Sequence, residues 1–156
     1  MKRMLLILCI LVSAAAATAG ADGLRGSRLG LEFGNPSAVI IYRPSNFDFK
    51  LGYNFASGSE FLFLSADYRI ISGYQLVDFV HFFLGVGGYG AFYSADRGGG
   101  DGQIDIGARI PVGLQAFLFG PTVELFLEVA PTVLFFPSID AFNEFQGWVG
   151  FTILIK

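Results

Sequence analysis

The sequence predicts an all-β protein, an eight-stranded antiparallel up-and-down transmembrane β-barrel. Three observations carry this. Run after run alternates large apolar residues with small or charged ones at a period of two, which fits a strand and no helix. The 156 residues are 53% apolar and only 15% charged, with 18 Phe and 21 Gly, too apolar for an ordinary water-facing domain. Lysine occurs only at Lys2, Lys50 and Lys156, whereas a solvated surface needs many charges of both signs.

Residues 1–21 read as a secretory signal peptide: Lys2 and Arg3, an apolar core from Met4 to Val12, then small residues. Cleavage is expected after Ala19 or Ala21, leaving 22–156 as the barrel. Lipidation of Cys9 is disfavoured, because Leu8 is large for the position before a lipidated cysteine and the apolar core would be cut short. Cys9 therefore leaves with the signal, and disulfides cannot stabilise what remains. Losing Lys2 and Arg3 without any acid takes the formal charge from −3 to −5. No cluster of Lys and Arg is present to neutralise phosphates, which excludes a nucleic-acid partner. The best candidate for a spanning helix, 76–93, contains Asp78, His81 and four glycines, and its aromatic residues favour strand.

Each strand follows from its alternation and its punctuation. Residues 28–34 set Leu29, Leu31 and Phe33 against Gly30, Glu32 and Gly34, and Asn35-Pro36 ends the run. Residues 37–43 follow and stop at Pro44-Ser45-Asn46. In 47–55, Phe47, Phe49, Leu51, Tyr53 and Phe55 oppose Asp48, Lys50, Gly52 and Asn54. In 61–70, Leu62, Leu64, Ala66, Tyr68 and Ile70 oppose Ser65, Asp67 and Arg69, with a break expected near Ser72-Gly73. Residues 79–93 carry His81, Gly85, Gly87 and Tyr89 in one phase, and 96–102 form the most polar loop. Strands six and seven lie within 107–131 and meet at Gly120-Pro121. The first puts Ile110, Val112 and Leu114 opposite Arg109, Pro111, Gly113 and Gln115; the second puts Val123, Leu125, Leu127 and Val129 opposite Glu124, Phe126, Glu128 and Ala130. Residues 137–144 connect to 145–155, where Phe145, Val149, Phe151, Ile153 and Ile155 oppose Gln146, Trp148, Gly150 and Thr152. The even count and runs often near the ~9–11 residues of a tilted membrane strand match the smallest membrane barrels.

Alternation alone does not say whether the apolar face points into a lipocalin-like cavity or out into lipid. Composition does: the other phase is glycine, a few acids and arginines, and scattered aromatics, too sparse for a solvated exterior and well suited to a narrow lumen. An arginine on the lipid face would cost roughly 2–4 kcal/mol at mid-membrane, which keeps charge to one phase. With a tight turn at Gly120-Pro121, Gly113 falls opposite Glu128 and Pro111 opposite Ala130, beside Pro131; a shared bulge or kink at the two prolines is expected.

The spacing Gly107-x-Arg109-x-Pro111-x-Gly113, followed by Phe126-x-Glu128-x-x-Pro131, resembles the closing half of a family of small eight-stranded outer-membrane barrels of diderm bacteria, related in architecture to OmpW and OmpX. The Gly34-Asn35-Pro36 turn and the Ala66-Asp67-Tyr68 strand resemble its other landmarks, so the likeness covers essentially all of 22–156. It implies an integral bacterial outer-membrane protein, with OmpW-like members proposed to pass small hydrophobic molecules. Such barrels usually end on an aromatic residue read by the barrel-assembly machinery; here the end is Ile153-Leu154-Ile155-Lys156, which puts efficient insertion by that route in doubt.

The candidate site is a lumen polar network of Glu32, Asp48, Lys50, Asp67, Arg69, His81, Asp105, Arg109, Glu124 and Glu128. It could line an ion path, but an eight-stranded interior is only wide enough for side chains, which favours a paired structural filling with Arg109 as countercharge to Glu128. His81 is the only histidine, so a histidine metal cluster is excluded, and no cofactor is expected. Pairing the fourth and fifth strands across 71–78 would bring His81 near Arg69 and Asp67, with Ser65 farther along. That resembles a Ser/His/Asp set, which matters because some outer-membrane barrels hydrolyse or acylate lipid A; a satisfied lumen histidine is the plainer reading. Gly98-Gly99-Gly100 lacks the lysine and helix of a phosphate loop. Tyr53 and Tyr68 fall in the lipid phase, Trp148 inside. The expected function is non-enzymatic, structural or as a narrow conduit for small hydrophobic molecules. Outer-membrane lipid and the assembly machinery are the expected partners. The rivals are a lipid A-modifying enzyme and a surface adhesin acting through 96–102.

Overall fold

The computed structural model describes residues 26–35, 38–54, 60–94 and 103–155, the side chains of 141–144 excepted. The expected signal peptide and the 96–102 loop lie outside them. The strands are β1 (Ser27–Asn35), β2 (Ala38–Pro44), β3 (Phe47–Asn54), β4 (Phe61–Val77), β5 (Val80–Tyr93), β6 (Ile104–Arg109), β7 (Val112–Leu118), β8 (Val123–Phe136) and β9 (Asp140–Ile155). Every pairing is antiparallel, and once β6 and β7 are counted as one strand each joins neighbours in the chain except the pair that closes the ring. The ring closes where β1 meets β9, from Ser27 opposite Ile155 to Asn35 opposite Gly147. Closure leaves no edge along the shared height of the wall.

β6 and β7 are two halves of one strand, since both pair with β5 on one side and β8 on the other. The barrel is therefore eight-stranded. The interruption falls at Ile110-Pro111, where proline has no N–H to give to a ladder. The neighbours still bridge it: Ile110 N–H donates to the Pro131 carbonyl at 3.1 Å, and Gly85 N–H to the Pro111 carbonyl at 2.7 Å. Arg109 opposite Thr132 and Val112 opposite Val129 keep one register across the gap. The ladder is irregular at both prolines, as expected, but not through one shared bulge: at Pro111 it is interrupted without a change of register. The register shift lies instead on the other side of β8, between Pro131 and Val133 against β9.

Two boundaries also move. β4 does not break at Ser72-Gly73 but runs to Val77, because β5 continues to supply a partner through three register shifts. β8 continues to Phe136 and β9 begins at Asp140, so the last connection is shorter than 137–144. The expected tight turn at Gly120-Pro121 is present, with Leu118 opposite Val123 and both Phe119 (φ 56°) and Gly120 (φ 67°) left-handed. Glycine takes that conformation without penalty; phenylalanine does not.

The two faces of the wall have opposite chemistry. Outward, Leu29, Leu31, Phe33, Ile40, Leu51, Leu127, Val149 and Ile153 are 41–59% exposed. Inward, every described lysine and arginine, namely Arg28, Arg43, Lys50, Arg69 and Arg109, is at most 2% exposed. A protein in water has the reverse arrangement, and a contiguous apolar exterior with the charges turned inward is the arrangement expected of a barrel wall facing lipid.

Candidate functional site: the charged lumen

Ten charged side chains fill the lumen, five cationic and five anionic: the five above with Glu32, Asp48, Asp67, Glu124 and Glu128. Period-two alternation places them there, since each shares its strand's inward phase. They form two clusters.

The first lies towards the end where the termini and the short turns gather. Arg43 holds Asp48 through Nε and Glu124 through Nη1. Arg69 Nε donates to Asp48 Oδ2 at 2.9 Å and its Nη1 to Gln115 Oε1 at 2.6 Å, with Glu124 Oε1 3.6 Å away. Thr152 Oγ1 donates to Glu124 Oε2 at 2.7 Å, and Arg28 approaches the same oxygen at 3.8 Å while also donating to the Pro121 carbonyl. Three guanidiniums thus face two carboxylates, with Glu124 the shared partner of all three.

The second cluster inverts that ratio. Lys50 Nζ lies 3.1 Å from Glu32 Oε1 and 2.7 Å from Glu128 Oε1. Arg109 contacts Glu128 through Nη2, Asp67 Oδ1 through Nε at 3.2 Å, and donates from Nη1 to Gln146 Oε1 at 3.0 Å. Two cations face three carboxylates, so the two clusters together balance. That matters because an uncompensated charge in a low-dielectric interior carries a desolvation penalty of several kcal/mol. Toward the other end an aromatic layer covers the second cluster: Phe63 packs on Trp148 at 5.7 Å and on Tyr89 at 6.3 Å, and Phe61 on Tyr93 at 5.0 Å. Between that layer, Asp105 and Gln146 is a void of about 30 Å³, room enough for a water.

Of the expected network, Glu32, Asp48, Lys50, Asp67, Arg69, Arg109, Glu124 and Glu128 come together here. Gly113 does lie opposite Glu128, and Arg109 reaches that carboxylate with no change of register. Two residues stand apart. Asp105 is half-buried at the rim and accepts from Gln103 Nε2 at 3.0 Å. His81 is also half-buried, edge-on to Phe117 with centroids 5.3 Å apart. The expected closeness of His81 to Arg69 and Asp67 is corrected by the longer β4: His81 lies opposite Gln75 and Gln115, whereas Asp67 faces Gly87 and Ser65 faces Tyr89. Tyr89 is eight residues from His81 on β5, roughly 26 Å at a strand's ~3.3 Å rise. No Ser/His/Asp set exists among these residues. Nor, among the described residues, do three His, Cys, Asp or Glu side chains converge to hold a metal.

Arg28 and Arg43 belong to the network and were not expected in it. Arg28 shares the phase of Glu32, which is the signal that finds it. Arg43 shares its phase with Val39 and Ile41, and with Ile40 and Tyr42 on the outer side both faces of that run are apolar. Only its pairing, Val39 opposite Glu32 and Ile41 opposite Lys50, shows which side is inside.

No protein-family profile matches this chain, and no curated protein does. Among solved structures it is similar to Neisserial surface protein A. The identity is 16% over 83% of this chain and 93% of that one, with a TM-score of 0.41. The barrel described above rests on this chain's own strand register.

Proposed function

We propose that this protein is an integral protein of the bacterial outer membrane, non-enzymatic and structural, with a lumen closed by its own charged core. The observation that carries the reading is the pairing of five buried cations with five buried anions across the full width of the barrel. A small apolar solute could pass only by separating these buried ion pairs, and breaking a buried pair costs about 3–5 kcal/mol. A narrow conduit is therefore the weaker alternative. An enzyme would need a nucleophile and base within hydrogen-bond reach, and Ser65 and His81 are far apart on the register.

The test is single-channel recording of the refolded protein in a planar bilayer. A silent membrane with heat-modifiable, correctly folded protein is expected; discrete conductance steps would overturn the closed-lumen reading. Lipid turnover that disappears in His81→Ala would overturn the non-enzymatic one.

A further inference from the structure

Buried polar atoms without a hydrogen-bond partner among the described residues are sorted along the lumen. In the acid-rich second cluster they are chiefly oxygens, both of Glu32, both of Asp67 and Oε2 of Glu128, with Arg109 Nε and Trp148 Nε1 the exceptions. In the arginine-rich first cluster and the mouth beside it they are chiefly nitrogens: Arg28 Nε, Arg69 Nη2, Gln115 Nε2 and His81 Nδ1, with Glu124 Oε1 the exception. Arg28, Arg69 and Gln115 are each at most 1% exposed, and a donor so buried is normally met by protein, water or an ion. His81 Nδ1 donates in the charged ring and in one neutral tautomer.

These four side chains border one place. Gln115 Oε1 accepts from Arg69 Nη1 at 2.6 Å, and Gln115 lies opposite His81 in the β5–β7 ladder. The Arg28 guanidinium carbon and the His81 ring each lie 5.3 Å from the centre of Phe117, the next inward residue after Gln115. Beside Gln115 Nε2 there is room: a Cβ built on Gly73, in the extension of β4, would have that nitrogen at 3.6 Å and no other atom beyond its chain neighbours within 4 Å. Arg28 is one residue in from Ser27, where the β1–β9 ladder ends, and Gln115 one from Ala116, where the β5–β7 ladder ends. His81 is half-buried there, so solvent reaches this mouth.

We infer that this mouth binds a small oxyanion of the phosphate or sulfate class. Arg28, Arg43 and Arg69 face only Asp48 and Glu124 here, an excess of one positive charge that water hydrates but does not neutralise. An oxyanion supplies the charge and several acceptors at once, and hydrogen bonds between guanidinium and oxyanion are among the strong ones. Glu124, opposite Phe117, is the like charge at this level, and Arg43 and Thr152 hold its Oε2. Arg28 and Arg69 lie inside the wall, so a free ion reaches them more readily than a headgroup tethered to the bilayer.

The experiment titrates the refolded full barrel, in a maltoside detergent that carries no phosphate, with inorganic phosphate in a calorimeter at fixed ionic strength. One saturable site is expected, with sulfate competing. Gln115→Glu keeps an acceptor for Arg69 but puts a carboxylate where the unmet donor stood; it should weaken phosphate binding at least tenfold and raise the unfolding temperature in phosphate-free buffer. Arg28→Gln, which removes the excess charge, should weaken binding at least tenfold as well. Gln103→Glu makes the same charge change at the opposite end of the barrel and should leave the affinity within twofold. Unchanged heat-modifiability shows that the variants fold. Undiminished binding in either mouth variant overturns the site. So does the absence of saturable binding to folded wild type, because water alone then meets the donors. An equal loss in Gln103→Glu reduces the effect to net charge and overturns it too, and competition by a short-chain phosphatidylglycerol as strong as by sulfate overturns the free-ion assignment in favour of a headgroup.

Discussion

The Arg109 guanidinium carbon lies 4.7 Å from the centre of the Trp148 ring, and Lys50 Nζ lies over the same ring at 4.9 Å. The one tryptophan of the chain is therefore placed against both cations of the second lumen cluster, 1% exposed, with Phe63 packed against it. Cation–π attraction strengthens once water is removed, to about 2 kcal/mol or more per contact, so Trp148 serves as packing and as a partial counter-field for two buried charges.

That position makes Trp148 a reporter of lumen water. Its emission should be blue-shifted in the folded barrel, and iodide should quench it at least fivefold less than free tryptophan in the same buffer. Quenching as strong as that of the free amino acid would mean that water and ions occupy the lumen around Arg109.

Glu124 accepts from Arg43 and Thr152 and is the carboxylate that Arg28 and Arg69 also approach as ion pairs. Glu124→Ala leaves Arg43 and Arg69 sharing Asp48 and removes Arg28's ion-pair contact, and breaking a buried pair from one side costs about 3–5 kcal/mol. Urea unfolding in lipid vesicles should show a loss in that range, smaller in Glu124→Gln, which keeps an acceptor oxygen for Thr152. A change in Glu124→Ala no larger than that of a surface substitution would show that the cluster is not paired this way.

Much of this was legible in the residues. Alternation fixes the phase of β1, β3 and β8, because Glu32, Asp48, Lys50, Glu124 and Glu128 each sit opposite leucine, valine or phenylalanine on their own strand. From phase follows the side of the wall, and from a closed narrow barrel follows pairing. What alternation does not fix is register, which depends on the length of each hairpin. β4 reads as ending at Ser72-Gly73 because those residues favour turns, but β5 holds it in the sheet to Val77, and that difference moves His81 away from Asp67. The β2 run, apolar on both faces, hid Arg43 for the same reason: a residue's side is visible only where the two sides differ.

Adjacent glycines on β5 should respond oppositely to alanine. A Cβ at Gly87 points inward, into the Asp67 carboxylate and the Ala66 carbonyl, whereas one at Gly88 points outward and meets the Gly107 carbonyl oxygen at an ordinary 3.5 Å. Gly87→Ala must displace Asp67 from Arg109 or spread β4 from β5, an overpacking cost of about 1–3 kcal/mol or more. Gly88→Ala should fold with wild-type yield. Equal unfolding midpoints for the two variants would show that the inward side of β5 has room that the described packing denies it.

The outer wall yields a depth-dependent prediction. Leu127 is 53% exposed at the middle of β8, opposite Leu114 on one side and Val149 on the other. Phe119 is 86% exposed in the β7–β8 turn. If the wall meets hydrocarbon, Leu127→Arg costs about 2–4 kcal/mol, because the guanidinium has neither water nor a lumen carboxylate within reach, while Phe119→Arg at the membrane edge costs about 0–1 kcal/mol. Reversible unfolding in vesicles reads both. The difference should shrink when lipid is exchanged for a short-chain detergent, whose thin apolar layer lets the arginine reach water. Equal costs at the two positions in lipid would mean that the leucine, valine and phenylalanine surface of this barrel faces something other than a bilayer.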